Sequence, residues 1–410
     1  SIEFTISDYK VSVSYSDMLA EGYAFQYVDS GEYVAYGKKA LYSDYDSRSI
    51  ENVKVVKCPH TPETVTGTDG RCACGQVQYQ AQITRGDTAT LYQTLTEAVA
   101  ALVDGDTLTL LSHVSVAAAD GAGEGLTIDK SITFDLNGKT LSSSATNMLN
   151  GILRIKGGTV TVKNGTVKAS GIGTSAIRAD SETILENVTT AIVYSGLGSV
   201  AACAPVTIRG GDYQGLYVSE GSRTVLEGGT FRPCRRSYDG EKRDSIYWQV
   251  NPNTDVTSRD CMELLADGYG YEDESGNPVR TFGGFHTVVT VKEGAVVTEP
   301  VAKIGETEYT GLHSAMKAAK NGETVTLLTD LELGNGAVLL LDDITTDFTT
   351  DLGGHTLSAS GTFLVHTYDR NSSRVTLKNG TLDGSKCAAT SGGAILIANY
   401  YDKYGLTLEN

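Results

Sequence analysis

Three cysteines and a histidine crowd between residues 58 and 74. Cys58-Pro59-His60 is followed, eleven residues on, by Cys72-Ala73-Cys74-Gly75. Three thiolates and an imidazole satisfy tetrahedral zinc, and a loop too small to own a core needs such a staple. Thr66-Gly67-Thr68-Asp69-Gly70 supplies a turn between the two ligand-bearing arms. The spacing therefore predicts structural zinc on Cys58, His60, Cys72 and Cys74. Four protein ligands leave no open position, so such an ion would do no chemistry on a substrate. The open alternative is oxidation, with Cys58 bridged to Cys72 or Cys74; a Cys72–Cys74 bridge would be strained. The remaining cysteines are scattered, which argues against a disulfide framework. Cys234 and Cys261 could bridge in an oxidising exterior, and Cys203 and Cys387 are expected to be small buried residues.

A second constellation runs Phe231-Arg232-Pro233-Cys234-Arg235-Arg236-Ser237-Tyr238, then Lys242-Arg243 and Tyr247-Trp248, the last being the chain's one tryptophan. Guanidinium forks and aromatic faces are the chemistry of contact surfaces. Arg232, Arg235, Arg236, Tyr238, Tyr247 and Trp248 are thus the candidate binding residues. Their alternative role is a C-terminal cap, with Tyr247 and Trp248 over an open solenoid end and the arginines paired to Asp239, Glu241 and Asp244. No catalytic residue is assigned. His-Glu-x-x-His and Gly-x-Ser-x-Gly are absent from the sequence. Tyr271–Asn277 lacks the alternating ligands of a calcium loop and is expected to be a solvated hairpin. His313, on a short helix, is expected at the surface.

The elements that must carry these residues repeat. Leu19-Ala20-Glu21-Gly22-Tyr23 returns as Leu265-Ala266-Asp267-Gly268-Tyr269, and Asp135-Leu136-Asn137-Gly138-Lys139-Thr140-Leu141 as Asp351-Leu352-Gly353-Gly354-His355-Thr356-Leu357. Val162-Lys163-Asn164-Gly165-Thr166 returns as Leu377-Lys378-Asn379-Gly380-Thr381. Offsets of about 215 to 245 residues mark a duplicated module. The second copy stops at Asn410, in the middle of the corresponding array, so the chain is expected to be part of a longer repeat protein. Each module opens with a helix: Leu95, Ala98, Val99 and Leu102 share one face, as do Leu312, Ala315, Met316 and Ala319. Short alternating strands follow, ended by Asn or Gly every 18 to 27 residues or so, about one coil of a parallel β-helix. Asn and Gly suit the corners because they tolerate left-handed backbone angles.

Thr94–Val99 through Asp104-Gly105-Asp106-Thr107-Leu108-Thr109-Leu110 resembles the N-terminal cap of pectate-lyase-like β-helix proteins. The Asp-Leu-Asn-Gly-Lys-Thr-Leu strand is similar to repeats of large surface proteins of gut Firmicutes. The cysteine loop is similar to the Cys-x-His…Cys-x-x-Cys-Gly knuckles between their modules, with one residue fewer between Cys72 and Cys74. The fold class this implies is all-β: tandem right-handed parallel β-helix modules, each opened by a capping helix, with a zinc-knuckle-like insertion. Residues 1–57 would close a preceding module, 58–83 form the knuckle, 84–235 the first β-helix, 236–309 its cap and linker, and 310–410 a second β-helix. Lyases and hydrolases share that fold with adhesins and passive stalks, so the resemblance alone selects no activity.

The formal charge of −17 repels nucleic acid and anionic lipid. No stretch approaches the length of a membrane-spanning helix, and membrane insertion is not expected. The expected function is a segment of a secreted or cell-wall adhesin, not an enzyme, that binds a host glycoprotein, a glycan such as mucin, or immunoglobulin. A polysaccharide lyase or hydrolase and a passive stalk are the alternatives.

Overall fold

The computed structural model describes residues 13–40, 50–66, 68–116, 125–148, 150–195, 197–219, 221–235, 245–249, 261–279, 285, 287–295, 299–333, 339–340, 346–359, 365–367, 374–385, 395–397 and 405–409. The fold is nearly all β, 47% strand against 8% helix, and its body is a β-solenoid of about 8 turns with two α-helices. The tandem β-helix expected from the strand spacing is therefore present. Two compact units divide the chain: Ser1–Val116, Ile128–Ser142 and Gly158–Thr166 in one, and the remaining segments through Asn410 in the other.

The first unit opens with a cap. A 3-10 turn, Tyr15–Met18, leads to strand Tyr23–Tyr27, which pairs antiparallel with Val53–Lys57, Phe25 opposite Val55. Tyr15, Phe25, Val34 and Ile50 form its small core. After the cysteine loop, the hairpin Ala81–Arg85 and Thr88–Tyr92 lies antiparallel to the first rung, Ile83 opposite Leu108. Helix α1, Leu95–Ala100, starts in a capping box between Thr94 and Glu97. It buries Leu95 and Ala98. Parallel rungs follow, with Thr133 opposite both Thr107 and Thr161. Their inward residues, Leu108, Leu110, Phe134 and Val162, are fully buried; each contributes about 1.5–3 kcal/mol by leaving water.

The corners show why asparagine sits there. Asn137 and Asn164 adopt φ of 49° and 57°, which most side chains resist. The Asn137 side-chain amide donates to the Leu110 carbonyl of the preceding coil at 3.0 Å. Asp135 accepts from the Asn137 backbone N–H at 2.8 Å. The corner thus closes its own polar groups.

In the second unit, Leu153–Ile155, Ile177–Ala179, Val200–Ala202, Leu216–Ser219 and Ile246–Gln249 stack as parallel rungs of one sheet. Thr183–Ala191, Val206–Gln214 and Gly229–Arg232 stack as another. A second cap ends this helix: a 3-10 turn Cys261–Leu264, then Tyr269–Glu272 paired with Val289–Glu293, which runs antiparallel to Gly229–Arg232. Asp273 begins the tight turn after Tyr269–Glu272 and accepts from the Ser275 and Asn277 N–H groups, the hairpin expected there. Hairpin Ala302–Ile304 and Thr307–Tyr309, helix α2 (Leu312–Ala318) and a second β-helix follow. Its rungs form three parallel ladders, including Phe348–Asp351, Arg374–Lys378 and Gly405–Glu409 in one. Leu312, Ala315 and Met316 pack with Val325, Phe348, Leu357 and Val375.

His313 departs from its expected surface position. Its side chain is 1% exposed and its Nδ1 lies 3.1 Å from Glu263 Oε1. The partner sits fifty residues upstream on the cap, and no local pattern announces it. Cys234 and Cys261 are both buried thiols rather than a bridge. Cys203 is half-buried, packed beside Ala201, Tyr217 and Tyr247, and Cys387 lies outside the described residues.

Candidate metal centre

Two arms deliver the cysteine–histidine cluster. Strand Val53–Lys57 ends at Cys58, whose N–H donates to the Gly22 carbonyl at 2.7 Å. His60 takes φ 54°; every other non-glycine residue with positive φ among those described is an asparagine. That strained angle turns the chain sharply two residues after Cys58. The other arm is a tight turn. Cys72 N–H donates to Val77 O, Ala73 N–H to Thr64 O and Gly75 N–H to Cys72 O, each at 2.7 Å. Gly75 has φ 79°, and a Cβ there would fall 1.9 Å from the Tyr36 ring. Arg71 lies 5.0 Å from that ring and donates to the Gly75 carbonyl. Gln76 closes the arms together by accepting from the Gly22 N–H.

The ligand atoms of Cys58, His60, Cys72 and Cys74 all lie within 4.8 Å of one another. Cys58 Sγ is 3.0 Å from Cys72 Sγ, and Cys74 Sγ is 3.9 Å from His60 Nδ1. A tetrahedral zinc shell has sulfur–sulfur edges of about 3.8 Å and sulfur–nitrogen edges of about 3.5 Å, from bond lengths near 2.3 and 2.0 Å. The cage is of comparable size, with the Cys58–Cys72 edge shorter than ideal and every separation within 4.8 Å. A disulfide would need about 2.05 Å between sulfurs, and all three cysteines are thiols. The four residues predicted from spacing are thus brought together, and the cluster could hold a metal ion.

The surroundings are apolar. Ala24, Ala73, Tyr79, Val65 and Leu111 pack around the three cysteines. Burial, reinforced by the hydrogen bond with Cys58, pushes the Cys72 thiol up to about 12. Burial also opposes ionisation of Cys58, but hydrogen bonds from Cys72 and the backbone of His60 and Cys74 outweigh it and hold that thiol below its ordinary value. Thr64 Oγ1 stands 3.2 Å from Cys72 Sγ. Sequence reasoning missed Thr64, Gln76 and the Gly75–Tyr36 contact, because none has a ligand's residue type.

The candidate binding residues are dispersed. Arg232 is exposed at the end of the last rung and forks onto Asp212 at 2.8 and 3.0 Å. Arg235 is exposed, and Arg236 and Tyr238 lie outside the described residues, as do Asp239, Glu241 and Asp244. Tyr247 and Trp248 are buried on a rung, opposite Tyr217 and Val218. They extend the solenoid rather than lying across its end. Tyr247 also completes a ladder on the side of the sheet away from the core: Arg154, Arg178, Ala201, Tyr217 and Tyr247 stand in register on successive coils, the arginines partly exposed and Ala201, Tyr217 and Tyr247 buried. Arg154 and Arg178 share one carboxylate, with Asp180 at 2.7 and 2.8 Å. The Tyr217 and Tyr247 rings meet edge-on at 5.3 Å. Register between coils, which no single-strand pattern encodes, is what places Arg154 in this ladder.

Comparison of this chain with protein families, with curated proteins and with solved structures finds no match.

Proposed function

We propose that this chain is a segment of a secreted bacterial cell-surface protein, related to pectate-lyase-like β-helix repeats, that binds a host glycoprotein, glycan or immunoglobulin along its coils. The observation that carries this reading is the ladder Arg154–Arg178–Ala201–Tyr217–Tyr247. Arg154 and Arg178 set two guanidinium groups side by side at Asp180 on a chain of net −17. Partly exposed arginines beside aromatic rings suit carboxylated sugars and acidic protein segments. A rigid solenoid holds such a row without an ordering cost on binding. Zinc is the ion proposed for Cys58, His60, Cys72 and Cys74, because three thiolates and one imidazole match its preference. Bound there, it would staple the knuckle; the chain's own residues exclude water and position the donors.

Retention of ligands from human serum and mucus, read by mass spectrometry and a glycan array, tests the binding role. A saturable ligand lost on Arg154→Ala with Arg178→Ala supports it. Release of unsaturated uronate from pectin, alginate or chondroitin would make the chain a lyase instead. Retention of nothing would leave a passive stalk.

A further inference from the structure

The two caps are copies of one unit, and one of them is uncovered. Tyr15–Met18 corresponds to Cys261–Leu264, Tyr23–Tyr27 to Tyr269–Glu272 and Val53–Lys57 to Val289–Glu293. The hydrogen bonds repeat as well. Tyr23 N–H donates to Ala20 O and Tyr269 N–H to Ala266 O, both at 3.1 Å; Cys58 N–H donates to Gly22 O and Gly294 N–H to Gly268 O, at 2.7 and 2.8 Å. In register, Val55 opposite Phe25 matches Val291 opposite Tyr271.

Burial separates the copies. Met18 is 51% exposed where its counterpart Leu264 is 1%, and Val55 is 55% exposed where Val291 is 4%. What covers the second copy is visible. Gly229–Arg232, the last rung of its own sheet in the first β-helix, pairs antiparallel with Val289–Glu293, placing Gly229 opposite Val291 and Phe231 opposite Val289. Leu226 bridges to Leu265, and its carbonyl accepts from the Ala266 N–H at 3.0 Å. Among the described residues, Val53–Lys57 pairs on one side only, with Tyr23–Tyr27. An open strand edge flanked by exposed apolar side chains is a pairing site.

We propose that the outer edge of Val53–Lys57, with Met18 and Val55, docks the last coil of another β-helix module of the same kind, standing before Ser1 in the same polypeptide. Ser1-Ile2-Glu3-Phe4-Thr5-Ile6 repeats the pattern of Ser245-Ile246-Tyr247-Trp248-Gln249-Val250, the stretch that holds the final rung before the second cap. Lys54 stands where Thr290 faces Thr230, so the incoming strand carries an acidic or neutral residue at that place. This inference is independent of what the coils bind.

The test extends the full chain by joining a copy of residues 84–244 ahead of Ser1. In the 410-residue chain, peroxide should oxidise Met18 readily and amides of Val53–Lys57 should exchange faster than those of Val289–Glu293. In the extended chain both should slow by about tenfold, and Val55→Asp should restore the fast rates. Unchanged rates beside a protected added module would overturn the proposal. Protection that grows with protein concentration would overturn it too, assigning the edge to a second copy. Should the added module not fold, a synthetic peptide of Leu226–Pro233 added to the 410-residue chain supplies the strand. Slowed exchange at Val53–Lys57, lost in Val55→Asp, supports docking; no effect at saturating peptide overturns it.

Discussion

The hand-over from cap to β-helix occurs twice and is secured by different chemistry each time. In the first, the chain leaves Cys58 through the cysteine–histidine knuckle before reaching Ala81–Arg85. In the second, it passes from Gly294 to Ala302–Ile304 with no such insertion. There the tie is a side-chain pair: buried His313 on α2 meets Glu263 on the cap, and Lys317 Nζ lies 3.8 Å from the same carboxylate. The corresponding positions of the first copy hold Thr96 and Asp17, which cannot make that pair. One architecture thus carries either a cage that could hold a metal ion or a buried hydrogen-bonded pair at the same joint. Coordination, where an ion is bound, would be the stronger tie.

Withdrawing the metal should give the largest separation between the joints. Structural zinc contributes about 10–16 kcal/mol in small zinc-dependent folds at neutral pH. The purified chain is expected to hold one zinc, and a strong chelator or Cys74→Ser should abolish exchange protection across residues 58–80 while α2 stays protected. Metal analysis giving no zinc, or protection that survives chelation, would break the contrast. The second joint should respond next. Glu263→Leu removes the acceptor facing a buried imidazole and should cost about 1–3 kcal/mol in urea unfolding. Glu263→Gln, which can still accept a hydrogen bond, should cost less. Asp17→Ala at the first joint should stay within about 0.5 kcal/mol. Equal losses for Leu and Gln at position 263 would show that the hydrogen bond is not the tie.

What was legible in the sequence follows the range of the forces involved. The coils are local: alternation places Leu108, Leu110, Phe134 and Val162 inside, and Asn137 and Asn164 mark corners by their own backbone angles. The metal ligands are nearly local, since two short arms carry all four. The caps were legible as segments, 1–57 closing a preceding module and 236–309 a cap and linker, but what covers each was not. Val55 and Val291 are the same residue in similar strands, yet one is exposed and the other covered by a rung far back in the chain. His313 looked like a surface residue because Glu263 is fifty positions away. The Arg154–Tyr247 ladder depends on register between coils of unequal length, which no single-strand pattern encodes.

The first rungs of the two helices sharpen the comparison at lower energy. Asp106 is fully buried and takes both Nε and a terminal nitrogen of Arg85 at 2.8 Å. Those hydrogen bonds, against the opposing effect of burial, hold its carboxyl below the usual carboxylate range. A lowered folded value means that the stabilisation is complete above the unfolded value of about 3.9 and is lost as pH falls through the folded one. At the position of Asp106 the second helix has Glu323, and Ile304 stands beside its hairpin turn where Arg85 stands in the first; Glu323 accepts only from the nearby Lys320 N–H in the contacts described. Acid should therefore loosen α1 and its first rung below about pH 4 before α2 responds. Asp106→Asn should remove that difference and lower stability at neutral pH by about 1–3 kcal/mol. Acid unfolding followed by exchange would sink the idea if α2 opened first.

The smallest effect lies at the corner where the copies differ by one side chain. Gly353 occupies the place of Asn137, with φ 59° against 49°, and otherwise the corner is conserved: Asp351 accepts from the Gly353 N–H at 2.9 Å and from the Asn379 amide at 3.0 Å. What it lacks is the amide that Asn137 sends to Leu110. A Cβ at Gly353 would sit 3.0 Å from Leu327 O, the carbonyl matching Leu110, so that oxygen must yield slightly. Gly353→Asn restores the hydrogen bond, about 0.5–1.5 kcal/mol, and removes glycine's freedom in the unfolded chain, about 0.4–1 kcal/mol. The tight approach offsets part of this, leaving a net gain of a few tenths to about 1 kcal/mol. Gly353→Ala meets the same carbonyl with no amide to offer and should destabilise. If both variants lose stability equally, the corner asparagines serve only as residues that tolerate a left-handed turn, and the bond across coils contributes nothing.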